Sequence, residues 1–265
     1  MLENLWFKEE KKKKFLQIYL FSAFFTVVSI FLTRTLLPFS EGLVSVFMVS
    51  LAAAYPTIRF LKEDEEEEIS KRYSEGKLLE RHVKEIGIFL AVFLGALTVF
   101  LIAEFFVSPQ FFMIQKDVIK RINPSVPLRG MVSVATNFWA IIQNNLWVFA
   151  ITFLVSFFIS AGGIFVIVWN ASILGVFLSN LIMGPGCPNL PAILAPTCYM
   201  VHGILEIIAY IIAGIAGSLF SKQFSLYFFR KIVNEEVFMR IWKDVTILVS
   251  IGVLLIFVAG AVEVF

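Results

Sequence analysis

The sequence predicts an all-α, polytopic transmembrane helical bundle of about seven spans, with interfacial and cytoplasmic connecting helices between them. Three observations predict it. Hydrophobic residues fill 59% of the 265 positions and charged residues only 16%, a balance too apolar for a water-soluble domain of this length. Apolar runs of about 20 residues, the length a helix needs to cross a hydrocarbon core of about 30 Å, recur along the chain. Charged segments separate those runs. Because lipid offers backbone N–H and C=O groups no partner, the spans are expected to be helices.

Span 1 runs from about Phe15 to Leu36 and stops before Pro38. Lys11 to Lys14 precede it in the manner of a signal peptide, but the run is too long for one and no small-residue cleavage site follows, so it reads as a retained span. Span 2 covers about Leu43 to Leu61, with Pro56 expected to kink its end. The segment from Lys62 to Glu85 is strongly charged and opens on an unbroken acidic run from Glu63 to Glu68. It reads as a solvated connecting helix, with docking of a basic partner as the alternative. Span 3 covers about Ile86 to Val107. In the connection over 108–130, Phe111, Ile114, Val118 and Ile122 repeat at helical spacing opposite Lys116, Lys120 and Arg121, the pattern of a helix lying in the membrane interface. Asn123, Pro124, Pro127 and Gly130 end it.

From Met131 to Gly184 the apolar character is nearly continuous, and one straight helix of that length would reach roughly 80 Å, so the chain must fold back. A turn at Gly162-Gly163 leaves two spans of suitable length; a turn at Trp169-Asn170 leaves the second one short, and the glycines are slightly preferred. Pro185, Gly186, Pro188 and Asn189 mark a tight loop. Span 6 begins near Pro191 or Pro196 and continues to about Phe220. A basic connecting helix over Lys222 to Lys243 carries an apolar stripe of Leu226, Phe229, Val233, Val237 and Ile241, and span 7 runs from about Val245 to Val264. The organisation is therefore a three-span region over 1–107 with its charged connection at 62–85, an extracytoplasmic connection over 108–130, a membrane core over 131–221, and a basic helix with the last span over 222–265. No internal repeat is evident, so nothing supports an inverted-repeat transporter.

Orientation follows from the lysines and arginines. Seven spans put the amino-terminal tail, the 59–85 connection and the 222–243 segment on one side with 17 of them, against 5 opposite, namely Lys116, Lys120, Arg121, Arg129 and Arg34. The positive-inside bias then predicts a plasma-membrane protein with a cytoplasmic amino end and an extracytoplasmic carboxyl end. The net charge of +2 implies no nucleic-acid surface.

Cys187 and Cys198 fall in or beside the loop before span 6, on the side where disulfides persist. A bridge is sterically reachable, two buried thiols are the alternative, and no further ligands cluster there for a metal.

Glu206 is the most informative residue, since it sits about ten positions inside span 6, where an ionised carboxylate costs several kcal/mol. His202 precedes it by one helical turn on the same face. Ala209, Ala213 and Gly217 lie along one face, with Gly203, Gly214 and Ala216 near it, and such small residues admit a second helix backbone. The pair is therefore expected to point into the bundle. Three roles stay open: a polar clamp to Asn144, Asn145 or Asn170, a protonation or ion-coupling site, or part of a metal site. Asn170 and Asn180 each need a hydrogen-bond partner in or near the membrane. Glu104 and Arg34 fall near the outer ends of their spans, where they either pair or snorkel separately. No Gly-rich phosphate loop, paired catalytic carboxylates or zinc-ligand cluster is present, so neither a cofactor nor an enzymatic reaction is expected.

Asn144-Asn145 with the apolar run after it, Gly162-Gly163, Asn170, Gly175, and His202-Gly203-Ile204-Leu205-Glu206 with Gly214 and Gly217 resemble the stage II sporulation protein M family over roughly 131–221. That family is marked by an Asn-Gly pair and a His-Gly-x-x-Glu motif. Here the second is intact, while Asn170 is followed by Ala171. The resemblance implies a membrane anchor for a cell-wall-remodelling complex in endospore formers, and a role not assigned in archaea and other bacteria. The leading expectation is a non-enzymatic membrane scaffold or assembly subunit, acting in the lipid bilayer with other membrane or cell-envelope proteins. An ion- or proton-coupled channel or transporter using His202 and Glu206 is the alternative. The small-residue faces suit packing within one chain or a homodimer equally.

Overall fold

A computed structural model describes residues 2–36, 41–70, 78–108, 110–122, 134–159, 162–183, 197–228 and 235–264. The described residues form eight helices and no strands: α1 (Leu2–Leu36), α2 (Glu41–Ser70), α3 (Leu78–Ala103), α4 (Met113–Ile122), α5 (Val134–Phe158), α6 (Gly162–Met183), α7 (Thr197–Phe228) and α8 (Glu235–Val264). Seven are long and apolar enough to cross a membrane, over Lys13–Leu36, Glu41–Ile58, His82–Ala103, Phe138–Phe158, Gly162–Met183, His202–Ser221 and Ile241–Glu263. The protein is a multi-pass helical membrane protein.

The long apolar segment turns just before Gly162, where the Gly162 amide donates to the Ile159 carbonyl oxygen. A Cβ on Gly162 would stand 2.6 Å from Val155 Cγ1 and 2.7 Å from the Val155 carbonyl oxygen. Only glycine lets α6 begin so close to the last turn of α5.

Among the described residues the charged connections prolong the spanning helices. α2 carries the acidic run on to Ser70, while α7 continues to Phe228 and α8 begins at Glu235, so the basic segment is shared between two spanning helices. Backbone hydrogen bonding continues from lipid into water without change, and Glu and Lys are good helix formers. At the ends of the spans, Phe220 meets Trp242 with ring centroids 5.0 Å apart, and Phe157 meets Phe220 at 5.2 Å.

The chain divides into two compact units, residues 1–119 with 167–179, and residues 120–166 with 180–265. In the first, α1 packs on α2 and α3. The large apolar side chains Leu20, Phe24, Val27 and Phe31 face outward, while Ser22, Thr26, Ser29 and Thr33 are buried. Lipid tails solvate a phenyl ring as well as another side chain does, so close backbone approach and interhelical hydrogen bonds decide what turns inward. Ser22 Oγ donates to the Val92 carbonyl at 2.8 Å, Ser29 and Ser45 hydroxyls meet at 2.8 Å, and Tyr19 donates to Thr98 at 3.1 Å. A Cβ on Gly95 would run into the Tyr19 carbonyl oxygen.

Only part of the apolar stripe that the periodicity selects is fully buried in and before α4. Phe111, Phe112 and Gln115 are fully buried, whereas Ile114 and Val118 are half-buried. The cause is docking by polar contacts: the Gly42 amide donates to the Phe111 carbonyl oxygen at 2.9 Å, and Gln115 Nε2 reaches Ser172 Oγ at 3.4 Å. Lys116 Nζ pairs with Glu104 Oε1 at 2.6 Å, so Glu104 takes Lys116 rather than Arg34, which is exposed. A Cβ on Gly175 of α6 would stand 2.9 Å from the Leu101 amide nitrogen, a close approach of helix backbones within this unit.

Candidate functional site

The second unit holds a cluster of polar side chains on α5, α7 and α8. Asn145 lies in the α5 span and is 5% exposed, because the neighbouring turn of α7 covers it. Its Nδ2 donates to Glu206 Oε1 at 2.5 Å. Its Oδ1 accepts from the Tyr210 hydroxyl at 3.0 Å and from Asn144 Nδ2 at 3.2 Å. Glu206 and Tyr210 are one helical turn apart on α7, so a single asparagine engages two consecutive turns of its neighbour. His202, one turn before Glu206, places Nε2 4.0 Å from Glu263 Oε2 near the end of α8. The unit therefore concentrates two carboxyl groups, an imidazole, a phenol and two amides where three helices meet.

Small residues make this closeness possible. Gly163 and Gly214 are in backbone contact, since a Cβ on Gly163 would stand 3.3 Å from Gly214 Cα and 2.5 Å from Ser156 Oγ. A Cβ on Gly217 would collide with the Phe153 carbonyl oxygen. On α8, Gly252 and Gly260 admit the Phe149 ring and the Ile142 side chain of α5. Gly203, the glycine of the His-Gly-x-x-Glu motif, is different, for nothing described lies within 4 Å of a Cβ there. The structure shows no packing reason for that glycine.

Asn144, Asn145, His202 and Glu206 thus meet in one unit, whereas Asn170 and Gly175 lie on the stretch of α6 that belongs to the other. Two members of the cluster went unread in the sequence. Tyr210 continues the helical-turn spacing of His202 and Glu206, a signal that was present but hidden among apolar neighbours. Glu263 carried none, because its partner His202 lies 61 residues away in the chain (263 − 202). Cys187 and the side chain of Cys198 lie outside the described residues, and with them the expected disulfide. Among the described residues, His, Cys, Asp and Glu do not gather in groups of three placed to hold a metal ion.

The family model of stage II sporulation protein M matches residues 88–265. The chain belongs to the stage II sporulation protein M family. The match begins in α3 and includes α4 and the last span, so the family region is wider on both sides than the 131–221 stretch carrying the sequence resemblance. Within the stage II sporulation protein M region fall the whole polar cluster and its Glu263. No curated protein and no solved structure matches the chain.

Proposed function

We propose that this stage II sporulation protein M family member is a non-enzymatic scaffold or assembly subunit of the plasma membrane, with its amino end cytoplasmic and its carboxyl end extracytoplasmic. The observation that carries the reading is the Asn145 amide, which bonds Glu206 and Tyr210 and so satisfies the intramembrane carboxylate from within the chain. A carboxylate already engaged by a neighbouring helix ties α5 to α7 and rigidifies the unit that presents its surfaces to other membrane or cell-envelope proteins. The non-enzymatic part of the reading follows from the sequence, which carries no Gly-rich phosphate loop, paired catalytic carboxylates or zinc-ligand cluster.

One observation favours the second reading, an ion- or proton-coupled channel or transporter. Glu263 joins His202 and Glu206, so the cluster holds more ionisable groups than a hydrogen-bonded clamp requires. Proteoliposomes separate the two. The scaffold reading expects no proton, sodium or potassium flux above protein-free vesicles, with Glu206→Gln lowering stability alone. A flux that Glu206→Gln abolishes would overturn it.

A further inference from the structure

α5 also has an outward face that the cluster does not use. Trp139, Gln143 and Trp147 follow one another at intervals of one helical turn, and all three are exposed, the two tryptophans at 63% and 62%. With Ile142, Leu146 and Phe257 of α8 they line a groove of about 450 Å³. The α5 span runs from Phe138 to Phe158. At 1.5 Å per residue, Gln143 is about 7 Å inside the span and Trp147 about 13 Å inside, close to its middle.

Lipid suits the three residues unequally. Trp139 sits at the end of the span, where an indole has its apolar body in the chains and its N–H in the headgroups. Trp147 is too deep for that arrangement. The Gln143 side-chain amide has no hydrogen-bond partner among the described residues, and hydrocarbon offers none. An acyl chain fills the groove but leaves an amide and an indole N–H unpaired. A second helix with a polar group at the same depth would satisfy both.

We infer that this α5–α8 face is a self-association surface whose occupant is a second copy of the same chain. A two-fold axis along the membrane normal pairs each residue with its own counterpart at equal depth. Glutamine is self-complementary in that setting, since its amide carries two donors and an acceptor, and the acceptor is also within the reach of an indole N–H. A different protein would need its own polar group at the same depth. The small-residue face with Gly163, Gly214 and Gly217 is not free for the purpose, because it is filled by packing within the chain. The inference rests on the membrane placement of α5 and not on the scaffold role, so it stands or falls apart from the flux experiment.

The test uses the full chain in liposomes with Cys187 and Cys198 changed to Ser. Gln143→Cys is expected to form a disulfide-linked dimer on mild oxidation, and Phe31→Cys, on the exposed stripe of α1, is not. In the chain with its native cysteines, Förster transfer should show about tenfold weaker dimerisation for Gln143→Leu and a smaller loss for Gln143→Asn. Because Gln143 is exposed, unchanged unfolding of the variants separates lost association from lost fold. Equal cross-linking at both positions, undiminished dimerisation of Gln143→Leu, or a wild-type chain that stays monomeric would overturn the inference. So would cross-linking of Gln143→Cys in cell membranes only to a different polypeptide.

Discussion

Asn145 is held between the Glu206 carboxylate, 2.5 Å from its Nδ2, and the Tyr210 hydroxyl, 3.0 Å from its Oδ1. The arrangement makes three side chains on two helices interdependent. Removing the asparagine leaves both an acceptor and a donor without their shared partner. Asn145→Leu is expected to destabilise the protein by about 1–3 kcal/mol in a detergent unfolding titration. A double-mutant cycle between Asn145→Ala and Glu206→Ala should give a coupling of about 1 kcal/mol. A coupling of zero would mean that the contact contributes nothing.

The glycines divide into those that are packed and those that are not. Gly217→Ala forces its Cβ against the Phe153 carbonyl oxygen and should cost about 2 kcal/mol as α5 and α7 separate. Gly203→Ala meets no described atom and should be neutral, or stabilising by up to about 1 kcal/mol through helix propensity. The same unfolding titration reads both. If Gly203→Ala leaves stability intact and removes a cellular phenotype, that glycine serves a contact outside the described residues.

Glu104 is nearly buried, its side chain 5% exposed, beside the Lys116 ammonium. Lys116→Met strands that carboxylate and is expected to cost about 3 kcal/mol, whereas Lys116→Met with Glu104→Leu should regain most of the loss. Unfolding titrations of the single and double variants check it. A double variant no more stable than the single one would show that the ion pair is not what holds α4 against the end of α3.

Gly42 lies under Gln115, and a Cβ there would stand 2.6 Å from Gln115 Oε1 and 2.7 Å from the Phe111 carbonyl oxygen. Gly42→Ala should loosen α4 and speed backbone amide exchange over 113–122 by tenfold or more. Gln115 Oε1 itself is buried without a hydrogen-bond partner. Gln115→Met, which removes that unmet acceptor at similar volume, is expected to cost less than about 1 kcal/mol. Slowed rather than faster exchange in Gly42→Ala would refute the account of the docked helix.

The proposed orientation is tested by single cysteines. Residues introduced at positions 63 and 222 should react with a membrane-impermeant maleimide only in inverted vesicles, and one introduced at position 120 only in intact cells. Labelling of position 222 from outside would reverse the assignment of the basic segments to the cytoplasm.

Hydropathy was enough to determine the all-helical class and the seven spans, and the His-Gly-x-x-Glu motif carried the resemblance to the family. Each depends on local quantities: the length of an apolar run, a glycine pair where a helix must reverse, and the His202 to Glu206 spacing of one turn. Tertiary structure alone decided which polar groups meet. Asn145 rather than Asn144 bonds Glu206, Glu104 takes Lys116 rather than Arg34, and Glu263 arrives beside His202 from another helix. It also decided which faces turn inward, burying Ser22, Thr26, Ser29 and Thr33 while Phe24 and Phe31 face out. The physical reason is that lipid removes the hydrophobic preference that makes a soluble helix's inner face readable. What remains is the fit of small residues and the pairing of hydrogen bonds between helices, and neither is written in any one segment.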